Sequence, residues 1–321
     1  MNEVCRVVGR LAPSPTGALH LGNARSFLLA WLSVRSRDGR IIMRMEDLDH
    51  PKVKPQAAQQ ALDDLHWLGL DWDEGPELGG DNAPYVQTQR AGLYREALEQ
   101  LQSAGLVYPC ICSRRDVENA QSAPQEGEDA VYYAGTCRGR FDSYAAARDL
   151  LPEGRLPAWR FRVAEGSICF DDGFCGRCCE DVAGSRGDFV LARHEYGAGY
   201  MLAVVVDDAA MGVTEVLRGD DLLPATFRQL LIYRALGLMP PEFVHVPLVV
   251  GPDGRRLAKR HGDTRIAALR AAGVSAERII GLLAYWCGWA EQGEELRAEQ
   301  LLTRFDLKSL NPKPVVFTSN G

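Results

Sequence analysis

Apolar residues recur along this chain in three patterns, and each predicts a different element. Val4 to Ala12 is a mostly apolar run that reads as a buried strand. Ala24, Phe27, Leu28, Trp31 and Leu32 then fall at helical spacing. Ile41 to Met45 reads as a second buried strand. Strand, helix and strand at this spacing predict a right-handed parallel unit, the first piece of a doubly wound sheet. Helical spacing returns over Pro55–Leu70, through Ala58, Ala61, Leu62, Leu65 and Leu68, and over Gln89–Ala104. Gly69 and Gly105 stand where those two helices should stop.

From Pro157 the pattern changes to alternation. Ala158 to Val163 is a clean strand. The apolar run Tyr200–Asp208 reads as a central parallel strand with an acidic end, and Tyr200 by default as a core aromatic. A short strand closed by Arg218, a helix over Thr226–Leu236 and a last strand over Val244–Val250 complete the sheet. The tail, from Thr264, is helical in pattern to about Ala290 and irregular beyond. The fold class expected is α/β.

Composition narrows the function. The 321 residues suffice for a large core, and no apolar run approaches the ~18 residues of a membrane span. No apolar segment follows a basic start, so a cytoplasmic protein without a signal peptide is expected. Nine cysteines in such a chain predict thiols or metal ligands rather than a disulfide framework. A net charge of −7 argues modestly against a nucleic-acid partner. Local patches decide phosphate contact, however, and Arg255, Arg256, Lys259, Arg260 and Arg265 are opposed only by Asp263.

Candidate chemistry sits in four places. Pro13 to Asn23 is a stiffened turn running into a helix start, where free N–H groups and the positive dipole end favour phosphate. His20 and Asn23 supply donors there, and Gly22 leaves room for a flat ligand. Glu46 ends the second strand, where ligands of such sheets bind. Arg218 is a strand-end arginine able to grip a carboxylate with two prongs, or else a surface partner of Asp220 or Asp221. Cys110, Cys112 and Cys137 fit either three ligands of a soft divalent ion or a set of buried thiols. Cys175, Cys178 and Cys179 are read as packing thiols, with a second metal site as the alternative that the C-x2-C spacing leaves open.

Arg10 to Gly17 followed by His20-Leu21-Gly22-Asn23 resembles the HIGH-type motif of class I glutamyl-type aminoacyl-tRNA synthetases. Arg44 to Asp47 matches that family's RIED-type segment. The loop Arg256–Asp263 resembles its KMSKS loop in the L-x-K-R form, with Ala258 in place of a common serine. Cys110-x-Cys112, then Tyr133-x3-Cys137, resembles the glutamyl-queuosine branch, in which the tyrosine is the fourth zinc ligand. The resemblance implies a Rossmann-like catalytic fold in two halves, 1–107 and 196–262. It also implies an inserted zinc subdomain at 108–195 and a helical tail at 263–321. It implies ATP with Mg²⁺ as substrate and one structural Zn²⁺ held by Cys110, Cys112, Tyr133 and Cys137. His20, Gly22, Asn23 and Lys259 would hold the nucleotide, with His20, Asn23 and Lys259 catalytic. Arg10, Leu11, Ala12, Pro13, Ser14, Glu46, Tyr200 and Arg218 would hold L-glutamate. The short tail implies an enzyme without an anticodon-reading domain, acting as a monomer on tRNA(Asp) that carries queuosine. The competing readings are a discrete glutamyl-tRNA synthetase, a non-catalytic RNA- or adenylate-binding paralogue, and a small-molecule adenylate-forming ligase.

Overall fold

Each strand of the parallel sheet sends alternate side chains to opposite faces, and both faces are covered by helices. The structure is a computed structural model that describes residues 6–48, 53, 55–119, 132–195, 197–255, 257 and 263–318. β1 (Val8–Leu11) leads to α1 (Leu21–Arg35) and to β2 (Arg40–Met43), followed by α2 (Pro55–Trp67) and α3 (Ala91–Ser103). β3 (Val107–Cys110), α4 (Arg114–Asn119), α5 (Tyr144–Arg148) and β4 (Ala158–Phe161) come next. The hairpin β5 (Ile168–Asp172) and β6 (Gly176–Glu180) precedes α6 (Val182–Ser185), β7 (Phe189–His194) and β8 (Gly197–Ala198). The chain returns through α7 (Tyr200–Ala210), β9 (Glu215–Gly219), α8 (Leu223–Leu236), β10 (Glu242–Val246) and β11 (Val249–Val250). It finishes with α9 (Ile266–Ala271), α10 (Ala276–Trp286) and β12 (Val315–Val316).

β1 pairs with β2, and β9 with β10, each in parallel. Thr214 joins the two pairs. Its N–H donates to the Val8 carbonyl at 2.8 Å, and its Oγ1 accepts from the Val8 N–H at 2.9 Å. The order across the sheet is therefore β2, β1, β9, β10. Leu11, Ile41, Met43, Leu217 and Val244 pack on one side with α1, α2 and α10. Val8, Ile42, Val216 and Phe243 pack on the other with α3, α7 and α8. A period of two along every strand feeds two cores at once. The doubly wound arrangement expected from the sequence is present. β3, β4, β7 and β8 form a separate antiparallel sheet. No helix among the described residues is long and apolar enough to cross a membrane.

Three expectations fail. Tyr200–Asp208 is a helix, α7, and not a central strand. Leu202 to Asp208 are all buried, between α3, α8 and β7. A helix covered on all sides has no polar stripe, so its apolar run looks like that of a buried strand. Second, the strand expected over Val244–Val250 is broken. Pro247 has no N–H to give a ladder, and its carbonyl accepts from buried Arg25 at 2.7 Å. β11 beyond it leaves β10 and pairs in parallel with β12, from the tail. Third, the cysteines are not all thiols. Cys169 and Cys179 are cross-strand partners in the β5–β6 hairpin and form a disulfide. Their Cα atoms lie 4.1 Å apart, so two side chains on one face meet directly. Of the other two, Cys175 is exposed and only Cys178 packs partly against the core.

Candidate active site

One cavity of about 530 Å³ opens beyond the carboxyl ends of β1, β2 and β9. Arg10, Ala12, Pro13, Ser14, His20, Gly22, Asn23, Glu46, Tyr200 and Arg218 all line it. Ten positions scattered over more than two hundred residues are thus brought to one place. Leu11 is the exception. Its side chain points away and is fully buried in the α1-side core, as alternation after Arg10 requires. Lys259, with Arg256, Ala258 and Arg260, lies outside the described residues. Tyr200 is no core aromatic. It is the first residue of α7, 37% exposed at the cavity.

The start of α1 forms one end. His20 is its N-cap, and His20 Nδ1 accepts from the Asn23 N–H at 3.4 Å. That bond places the proton of a neutral imidazole on Nε2. The helix start is less open than the sequence suggests, because Leu21 N–H is taken by the Thr264 carbonyl at 3.0 Å. Ile266 N–H in turn donates to the Leu19 carbonyl at 2.9 Å. The chain that follows the KMSKS-like loop is therefore strapped to the turn before α1. A Cβ on Gly22 would stand 3.3 Å from the His20 ring and 3.6 Å from Val249, so the missing side chain admits the imidazole itself.

Charge dominates the other end. Arg44 is fully buried and donates to Asp208 at 2.6 Å and to Glu46 at 3.0 Å, with Asp207 3.8 Å away. Asp207 also accepts from Arg90 at 2.6 Å, Tyr94 at 2.8 Å and Gln87 at 2.9 Å. Arg10 lies 3.7 Å from Asp208, and its Nε has no hydrogen-bond partner. Burial raises the Glu46 carboxyl above its ordinary value, although Arg44 and Arg10 oppose this. Glu46 is held at the cavity by its backbone. Its N–H donates to the Pro13 carbonyl at 3.0 Å, and its carbonyl accepts from Ser14 Oγ at 3.1 Å.

Arg218 is 5% exposed and forms no ion pair with any carboxylate of the described residues. The surface pairing with Asp220 or Asp221 is not what the structure shows. Its Nε donates to His245 Nε2 at 3.1 Å, and its Nη2 to Thr226 Oγ1 and Gln229 Oε1 at 2.7 Å each. Nη1 is buried without a partner. Burial lowers the guanidinium's pKa. Arg10, Arg44 and Arg90 thus face Glu46, Asp207 and Asp208, whereas Arg218 stands in the cavity lining with neutral partners alone. A buried cation in that state calls for an anionic ligand.

Sequence reasoning missed the groups that hold this corner. His245 is the register partner of Arg218 across β9 and β10. Asp172, at the end of β5, accepts from His245 Nδ1 at 2.6 Å. Thr226 and Gln229 stand three residues apart on α8, one helical face, which is the only signal that could have linked them. The two aspartates closing the run Tyr200–Asp208 were a signal for buried arginine partners.

The cysteine cluster lies apart from the cavity. The sulfurs of Cys110, Cys112 and Cys137 lie within 4.8 Å of one another. Tyr133 Oη is 3.4 Å from Cys110 Sγ and 3.9 Å from Cys112 Sγ. Bonds of about 2.3 Å to a tetrahedral zinc place sulfurs just under ~4 Å apart, so the set fits that ion. Gly187 makes the geometry possible. A Cβ there would stand 2.1 Å from the Tyr133 carbonyl. Arg160 stacks 3.6 Å above the Tyr133 ring and donates to Cys110 Sγ at 3.2 Å, placing positive charge beside the sulfurs. The Cys137 thiol is drawn below its ordinary value, chiefly by its bond from Cys110, the direction that favours a metal-ligating thiolate.

Residues 6–320 match the family model of class I tRNA synthetases (E and Q), catalytic domain. A glutamyl-Q tRNA(Asp) synthetase of Symbiobacterium thermophilum is 50% identical over 308 residues, covering 96% of this chain and 94% of the relative. A glutamate–tRNA ligase of Heliobacterium modesticaldum is 42% identical over 96% of this chain, which spans 62% of that relative's length. Among solved structures, a glutamate tRNA ligase from Elizabethkingia meningosepticum, in complex with its amino acid, superposes with a TM-score of 0.82. It is 28% identical over 98% of this chain and 68% of that one.

Proposed function

The chain belongs to the class I tRNA synthetases for glutamate and glutamine, a family of ligases, and from that premise we propose that it activates L-glutamate with ATP and transfers it to queuosine in tRNA(Asp). The observation that carries the amino acid is Arg218. A buried guanidinium of the cavity lining, held only by neutral groups and with both N–H bonds of Nη1 unused, is a seat for a side-chain carboxylate. Glu46 is the complementary anion for the substrate's ammonium group. Arg10 and the Ala12–Ser14 turn flank the α-carboxylate.

The reaction needs placement more than proton transfer. One α-carboxylate oxygen attacks the α-phosphorus of ATP in line, and the bond to the pyrophosphate oxygen breaks. His20 and Asn23, at the start of α1, bind the phosphates. Lys259 is assigned to the triphosphate as charge builds on it. Mg²⁺, when bound, shields that charge. The glutamyl-adenylate then yields its acyl group to a hydroxyl of the RNA, releasing AMP. Zn²⁺ bound by Cys110, Cys112, Tyr133 and Cys137 would tie β3 to the segment around Tyr133, and its chemistry there is structural.

The acceptor rests on relatedness, since the most similar relative cited is a glutamyl-Q tRNA(Asp) synthetase matched over nearly its whole length. The test uses labelled glutamate with three RNAs: tRNA(Asp) with queuosine, the same tRNA without it, and tRNA(Glu). Label on the first alone is expected. Label on tRNA(Glu) alone would make the enzyme a glutamate–tRNA ligase instead.

A further inference from the structure

The groups behind Arg218 carry an inference that rests on the glutamate reading and goes past it. We propose that Asp172 and His245 are positioning residues that hold Arg218 in a single hydrogen-bonding state, and so set the discrimination of glutamate from glutamine.

A guanidinium has five N–H bonds. Three are spent on the protein, through His245 Nε2, Thr226 Oγ1 and Gln229 Oε1. The remaining two are on Nη1, which has no partner in the fold. This arrangement exists only while His245 Nε2 is an acceptor, which requires the imidazole proton on Nδ1. Asp172 enforces that tautomer, because its Oδ2 sits 2.6 Å from Nδ1 and accepts that proton. Asp172 is itself fixed, with Oδ1 accepting from the backbone N–H groups of Phe174, Cys175 and His245 at 2.8–3.1 Å. The opposite tautomer would set N–H against N–H at the Arg218 contact and turn the guanidinium away. Thr226 does not compete for Nε2 if its hydroxyl donates to the Leu222 carbonyl, 3.3 Å away.

Discrimination follows from the neutrality of these partners. A carboxylate on Nη1 neutralises the buried charge, whereas the amide of glutamine leaves it unpaired and brings donors of its own. Had a carboxylate contacted Arg218 directly, either ligand would serve. Asp172 gives its charge to His245 instead, one ring away.

The test is pyrophosphate exchange with three variants, measured separately against glutamate, glutamine and ATP. Asp172→Asn donates where Asp172 accepts and so reverses the tautomer. His245→Asn keeps a group near Nδ1 and loses the acceptor at Nε2. His245→Gln places a side-chain oxygen near Nε2 and restores it. Asp172→Asn and His245→Asn are expected to raise KM for glutamate at least tenfold, with kcat changed less than threefold and KM for ATP less than twofold. In both, the preference for glutamate over glutamine in kcat/KM should fall at least tenfold. His245→Gln should stay within threefold of the unaltered protein on every measure. Both His245 variants remove the imidazole, so a shared folding defect cannot produce that split. Equal losses in the two His245 variants, or equal shifts in the KM for ATP and for glutamate, would overturn the proposal. Failure of the unaltered protein to exchange with glutamate at all would instead retire the glutamate reading itself.

Discussion

Two buried arginines, Arg218 in the cavity lining and Arg44 behind the lining residue Glu46, are held in opposite ways. Arg44 is surrounded by Glu46, Asp207 and Asp208. Burial disfavours its charge, but Asp208, Glu46 and Asp207 outweigh that and raise its pKa well above the ordinary value. Arg218 is surrounded by an imidazole, a hydroxyl and an amide, and there burial prevails and the pKa falls. The same side chain serves two purposes, and the counter-ion tells them apart. Where the fold supplies the carboxylates, the arginine ties elements together. Where the fold withholds them, the anion must come from outside.

That contrast breaks most readily at Arg44. Arg44→Met would strand three carboxylates, only partly compensated by Arg10 and Arg90, and is expected to destabilise the fold by about 3–5 kcal/mol. Urea unfolding reads this directly. Arg218→Met should do the reverse, leaving stability unchanged within ~1 kcal/mol or raising it, since an unpaired buried cation is removed. Its effect falls on the substrate. KM for glutamate should rise about 100-fold, or about 2.7 kcal/mol, in pyrophosphate exchange. A large loss of stability in Arg218→Met would erase the distinction between the two sites.

The cysteine cluster sharpens the comparison, because there the missing partner is a cation. Cys137→Ser is expected to reduce bound zinc from one per chain to well below one, measured by elemental analysis of purified protein. Exchange activity should fall less than in Arg218→Met, because the cluster lies outside the cavity.

The smallest effect is expected with acid. Burial raises Asp172 and Asp188, but bonds from His245 and backbone to the first, and from Arg138 and Tyr108 to the second, outweigh it and hold both below the ordinary 3.8. A depressed carboxyl stabilises the native state fully above its unfolded value and loses that contribution as pH falls through the folded value. Stability should therefore hold down to about pH 4 and decline below it. Asp188→Asn should flatten that decline in acid titrations followed by circular dichroism.

Much of this could be read in advance wherever local pattern and chemistry coincide. The β1 strand, the Pro13–Asn23 turn and α1 are signalled by one apolar run, stiff turn residues and helical spacing within thirty residues of chain. The Cys110, Cys112 and Cys137 group was legible as metal ligands or buried thiols because its spacing is local on each side of one loop, whereas Tyr133 entered only through the family resemblance. Arg218 at a strand end was legible as a position, though not as an unpaired charge. Its partners His245 and Asp172 meet it only through a parallel register and a hairpin far away in sequence, which no local pattern encodes. α7 was misread because burial on every side erases periodicity. Leu11 was carried along by the segment it sits in, although alternation alone turns it into the core.

Pyrophosphate exchange with glutamate and glutamine side by side tests the central claim most directly, that Arg218 awaits a carboxylate from the substrate. Robust exchange with glutamate, little with glutamine, and loss of that preference in Arg218→Met are the results predicted. Equal exchange with both amino acids, or an Arg218→Met protein that still prefers glutamate, would contradict it.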